Sequence, residues 1–223
     1  MSNWPNPPSH EWFWVSAGLV LLALYYLWMA WRTWLDPLFS TQGVNREARR
    51  AWVQHIMADP GLGILAVQTL RNSTMAATFL ASTAILLIIG VLNLSGKADQ
   101  ISTSWQALSL FGQVDPKLWD IKLLALLIDF FVAFFSFAMA VRLFNHVGYQ
   151  ITLPPALRPA VVSPEQVARH LNRAGGFYSI GMRAYYLCVP LVFWLFGPHF
   201  MMLACLALIP ILYAADRAQT NGR

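Results

Sequence analysis

Between Arg71 and Lys97 the chain runs for 25 residues without a charge, NSTMAATFLASTAILLIIGVLNLSG. As an α-helix rising about 1.5 Å per residue, that run covers roughly 37 Å, more than the hydrocarbon core of a bilayer at about 30 Å. Four further apolar stretches accompany it, and only 11% of all residues are charged, against about 25% in an ordinary soluble domain. The expectation is an all-α polytopic transmembrane helix bundle, one integral-membrane domain over residues 1–223. Its five spans fall at about 12–32, 72–95, 118–144, 176–196 and 199–215, with short amphipathic helices at the interfaces.

The first span is uncharged from Trp12 to Trp31, and the ten residues MSNWPNPPSH before it contain neither Lys nor Arg. A secretory signal needs a basic start, so this segment reads as a retained helix. Its positive flank, Arg32, follows it, which puts the N-terminus outside. Trp12, Trp14, Trp31 and Trp34 stand near its two ends, where aromatic rings settle at headgroup level. The polar stretch NREARRAWVQHIMADP then carries Ala48, Trp52 and Ile56 at four-residue spacing, with Arg46, Arg49 and Arg50 on other faces. That pattern predicts an amphipathic helix lying at the headgroups, ended by Pro60 and Gly61. The apolar LGILAVQTL beyond it extends the second span backwards. Within that span Thr74, Thr78 and Ser82 recur every four residues beside Ala77 and Ala81, a stripe that serves helix packing or lines a pore.

After the second span, Ile101, Trp105 and Leu108 predict a short surface helix, and Asp115-Pro116 a cap opening the third span. Asp129 lies in that span, roughly 12 Å from its start near Ile121, where an unpaired carboxylate costs about 2.5–3.5 kcal/mol or more. It has to face protein or water, or carry a proton. Arg142 and His146 share a face near the other end of the same helix. Pro154, Pro155 and Pro159 punctuate the next loop, Ser163-Pro164-Glu165-Gln166 forms a helix start, and VARHLNRA continues as a short helix stopped by Gly175-Gly176. The uncharged stretch 184–215 is broken at Gly197-Pro198-His199, giving the last two spans and drawing Arg183 into the membrane. Three partners compete for Arg183: Asp129 across the bundle, Asp216 at the end of the fifth span, and lipid phosphate reached by snorkelling.

With this topology all twelve Arg fall on one side and the three Lys on the other, so the C-terminus is cytoplasmic. The net charge of +5 is scattered through short loops beside spans and excludes a nucleic-acid partner. Cys188 and Cys205 sit at similar depth in neighbouring spans and read as free thiols.

Two strings, QTLRNSTMAATFLAS at 68–82 and GMRAYYLCVPLVFWLFGP at 181–198, resemble the domain of unknown function 599 family, small multi-pass membrane proteins of bacteria and plants. The resemblance runs from the first span to the last. It implies a membrane protein, and no catalytic or binding residue comes with it; the expected location is the bacterial inner membrane. It directs attention to Arg71, Asn72, Met75, Arg183, Tyr185, Pro190 and Gly197-Pro198.

The residues leave three functional classes. A small homo-oligomeric channel or transporter would run a polar intramembrane route through Asp129, Arg183, Arg71, Asn72, Thr78 and Ser82. A non-catalytic scaffold or accessory subunit would carry the same charges merely paired. An enzyme built on His55, His146 and His170 is the weakest reading, because these histidines lack ligand spacing. No cofactor, metal or catalytic residue is assigned. The bilayer, and self-association within it, are the expected partners.

Overall fold

The apolar runs are helical throughout. A computed structural model describes residues 8–96 and 116–218. In chain order the helices are α1 (Pro8–Leu35), α2 (Thr41–Ala58), α3 (Gly63–Ser95), α4 (Pro116–Ile151), α5 (Pro164–Phe196) and α6 (Pro198–Asp216). All but α2 are long and apolar enough to cross a membrane, which makes this a multi-pass membrane protein. The surface helix expected around Trp105 and the cap at Asp115 lie outside the described residues.

Side-chain caps open α2, the 3-10 turn before α3, and α5. The Ser40 Oγ accepts from the Gly43 N–H at 3.1 Å and opens α2. Asp59 accepts from the Gly61 N–H at 2.8 Å, and a 3-10 turn, Pro60–Leu62, leads straight into α3. Ser163 accepts from the Gln166 N–H at the start of α5, with Pro164 in the first turn. Gly197, at φ 148, lets the chain leave α5 and enter α6 within one residue.

One expectation fails here. Gly175-Gly176 does not stop a short helix; α5 runs unbroken from Pro164 to Phe196. Glycine permits a helix to end without imposing it, and two glycines of α5 serve close approach instead. A Cβ on Gly175 would sit 2.7 Å from an Arg49 guanidinium nitrogen, and one on Gly181 would sit 2.7 Å from the Phe137 ring.

Helix α4 packs between α3 and α5, α6 packs on α5, α1 covers α6, and α2 lies across α5. Three apolar clusters follow one another along the bundle. At the arginine-rich end Val53, Ile56 and Met57 of α2 meet Ala66, Phe144, Val147, Val167 and Leu171. A middle layer joins Ala81, Ala84, Ala133, Phe137 and Ala184. At the far end Val15, Leu22, Trp119, Leu126, Trp194 and Met201 close the bundle. The two cysteines face different neighbours: the Cys188 thiol donates to the Tyr185 carbonyl at 3.0 Å, while Cys205 lies against Gly18 of α1.

Candidate functional site

Helix α3 packs on α4, α6 packs on α5, and α2 lies across α5. The result is a cavity of about 920 Å³ at the arginine-rich end. Each wall is one helix face. Thr41, Gln42, Asn45, Ala48, Arg49 and Trp52 come from α2, and Thr69, Asn72, Ser73 and Ala76 from α3. Gly175, Tyr178, Ser179, Met182, Arg183 and Tyr186 come from α5, and Leu212, Ala215 and Asp216 from α6. Spacings of three and four residues on α2, α3 and α5 set these side chains in rows along the cavity.

Arg183 is paired. Its Nη2 lies 3.3 Å from the Asp216 Oδ1, the Tyr25 hydroxyl donates to the other carboxylate oxygen at 3.1 Å, and the Tyr26 ring centroid is 5.1 Å from the guanidinium carbon. The cluster joins α1, α5 and α6. Of the three candidate partners for Arg183, the structure selects Asp216; the pairing with Asp129 is not formed. Along α4, Phe144 lines the cavity, Phe137 and Ala133 belong to the apolar middle layer, and Asp129 follows one turn beyond. Asp129 has Cys188 among its electrostatic neighbours, five residues or about 7–8 Å farther along α5 than Arg183. Its side chain is buried, and its Oδ2 has no hydrogen-bond partner among the described residues.

Arg49 is held differently. Its Nε donates to the Asn172 Oδ1 at 2.8 Å, and the Asn172 amide donates onward to the Arg46 carbonyl at 3.3 Å. The rest of the guanidinium lies flat against Gly175 on the cavity wall. The only ion pairs among the described residues are Lys122 with Glu11 and Arg183 with Asp216, so no described carboxylate compensates Arg49. Burial, and after it the charge of Arg46, lowers the Arg49 pKa from its ordinary value. Nearby, the Gln42 amide donates to the Ser179 hydroxyl and closes α2 onto α5.

Of the six residues picked from the sequence, the cavity collects two, Asn72 and Arg183. Arg71, Thr78 and Ser82 are exposed on α3, off the cavity wall. The face of α3 that packs carries Ala77, Ala81 and Ala84 rather than the hydroxyl stripe. His55 and His146 are exposed, His170 contacts the Gln150 amide at 3.2 Å, and no cluster of three metal-ligating side chains forms among the described residues. Sequence reasoning passed over Gln42, Arg49 and Ser179, because a basic amphipathic helix reads as solvated. The signal was Asn45, Arg49 and Trp52 on one face of α2, together with a glycine inside the α5 pattern.

The far end has its own charges. The Lys122 Nζ lies 2.7 Å from the Glu11 Oε1 with its side chain 1% exposed, and the Trp194 indole N–H donates to the same oxygen at 3.2 Å. This ties α1, α4 and α5 together over the apolar cluster. A lysine read simply as an outer-face charge is therefore a buried partner.

A family model described as "Protein of unknown function, DUF599" matches residues 13–221, nearly the whole chain. No curated protein and no solved structure matches it.

Proposed function

Because the chain belongs to the DUF599 family, whose description assigns no activity, we propose a function from geometry: a small-solute carrier of the bacterial inner membrane, with its N-terminus outside and its C-terminus cytoplasmic. The cavity is its substrate site, open to the cytoplasm. One observation carries this reading. Polar groups converge on a cavity of about 920 Å³ at the arginine-rich end, while among the described residues an alanine and phenylalanine layer and the Glu11–Lys122 pair occupy the bundle toward the other. A few polar groups on otherwise apolar walls are what a small-molecule site requires. A cavity that meets an apolar layer within the bundle fits alternating access better than an open channel. The earlier route through Asp129 contracts to the stretch from Arg49 to Arg183, with Asn72 and Ser179 beside it.

The test is sided labelling. In a background with Cys188 and Cys205 changed to Ala, Ser179→Cys and Asn72→Cys should react with a membrane-impermeant maleimide in inside-out vesicles. They should be protected in right-side-out vesicles. Protection from both sides would sink the carrier reading.

A second reading, a scaffold or accessory subunit, is favoured by Arg71, Thr78 and Ser82. They lie exposed on α3, where hydroxyls bond to a neighbouring membrane helix or to a second copy of the chain. Crosslinking between Ser82→Cys copies would support self-association on this face, and monomers alone would remove it.

A further inference from the structure

We infer that Arg49 is the anchor for the oxyanion of an anionic amphiphile, whose apolar chain lies along the cavity. The inference rests on the cavity being a substrate site and goes on to name what enters it. The ionisable acidic and basic residues on the wall are Arg49, Arg183 and Asp216. Arg183 and Asp216 cancel through their 3.3 Å contact, which leaves a single positive charge on Arg49. That charge is fixed in place. Asn172 holds Nε, and the backbone at Gly175 supports the guanidinium face, so the terminal nitrogens need no reordering to meet a ligand. A planar guanidinium with one nitrogen already bound offers a fork that matches carboxylate or phosphate oxygens.

The remaining wall selects the rest of the ligand. Ala48, Leu70, Met182 and Leu212, with the ring of Trp52, accept hydrocarbon. A cavity of about 920 Å³ lies within the range of about 300–1,000 Å³ that encloses a small organic ligand. A single positive charge with no described carboxylate beside it favours a monoanion over a neutral alcohol or a cation.

Two sources share this chemistry, a free single-chain carboxylate and the phosphodiester of a bilayer lipid, and binding to the full-length protein separates them. In nanodiscs of phosphatidylcholine, labelled oleate should bind at least tenfold more tightly than oleyl alcohol. Arg49→Gln should weaken oleate about tenfold to a hundredfold, the range for a lost charged hydrogen-bond donor. Gly175→Ala, which keeps the charge but displaces the guanidinium, should weaken it in the same direction. Arg50→Gln, exposed on the same helix and off the wall, should change nothing. Competition by phosphatidylglycerol would assign the lipid as the source, and its failure to compete would assign the free carboxylate. Equal binding of oleate and oleyl alcohol to the unaltered protein would overturn the inference whatever the variants do. If Ser179→Cys still labels from the cytoplasmic side in that case, the carrier reading survives and only the anion is lost.

Discussion

Replacing Gly181 by Ala would place a Cβ 2.7 Å from two ring carbons of Phe137 and 2.9 Å from a third. Nonbonded carbons rest at about 3.5–4.0 Å, so the overlap is close to 1 Å. The ring has nowhere to go: Phe137 is 0% exposed, and Tyr178 and Tyr185 stand against it at centroid distances of 5.6 and 5.3 Å. Overpacking of this kind costs about 1–3 kcal/mol. A glycine to alanine change inside a helix also gains about 1 kcal/mol of propensity, which would blur a single measurement. Gly176 removes the ambiguity, since it lies in the same helix and a Cβ there meets nothing within 4 Å. The propensity gain cancels between the two variants. Gly181→Ala should therefore be less stable than Gly176→Ala by about 1–3 kcal/mol in SDS unfolding from mixed micelles. In a Phe137→Leu background the gap should shrink. Equal stabilities for the two alanine variants, or a gap indifferent to Phe137→Leu, would refute the idea that Gly181 exists to admit that ring.

Three further outcomes follow from the charges. Arg183→Gln and Asp216→Asn should each lower the melting temperature of the solubilised protein, with a coupling of about 0.5–3 kcal/mol in the double mutant; Arg183→Gln combined with Asp129→Asn should be additive. Glu11→Gln should destabilise more than Lys122→Met, because it strands an ammonium that is 1% exposed, at about 3–5 kcal/mol. The double change should recover part of that loss, and a reversed order would contradict the burial argument. Asp129→Asn removes a buried carboxylate with an unpartnered oxygen, so melting should hold or rise, and a clear fall would mean that the carboxylate has a favourable partner.

Long charge-free runs made the five apolar helices legible, because a bilayer demands length and apolarity and little else. The break at Gly197 was legible for a similar reason: Pro198 cannot continue the ladder, and glycine takes the positive φ. What depended on azimuth was not. Counting depth along two helices left Asp129 and Asp216 both within reach of Arg183, and only the packing of α6 on α5 chose between them. Thr78 and Ser82 drift around α3 at their four-residue spacing, and the smaller alanines took the contact with α4. Gly175 looked like a stop because its use lies in α2, 126 residues earlier at Arg49.

The helices differ in length in a way that divides the molecule between two solvents. Helix α6 has 19 residues and reaches about 28 Å, whereas α3, α4 and α5 have 33, 36 and 33 and reach about 50 Å. At Phe196 and Pro198 α5 and α6 are level, so the excess collects at the other end, where α5 begins 19 residues before Arg183. There Val53, Val147, Val167 and Leu171 pack beyond the slab that α6 can span, in a core driven together by water. The rest of the bundle lies among acyl chains, where burying leucine against leucine gains little and close packing has to suffice. Cooling and urea loosen the first kind of contact, while bilayer thickness and detergent act on the second. The cavity lies on the seam, with α2 forming one wall and α6 another. Its opening should therefore respond to both sets of conditions, and the lipid in which the protein is purified becomes part of the definition of its binding site.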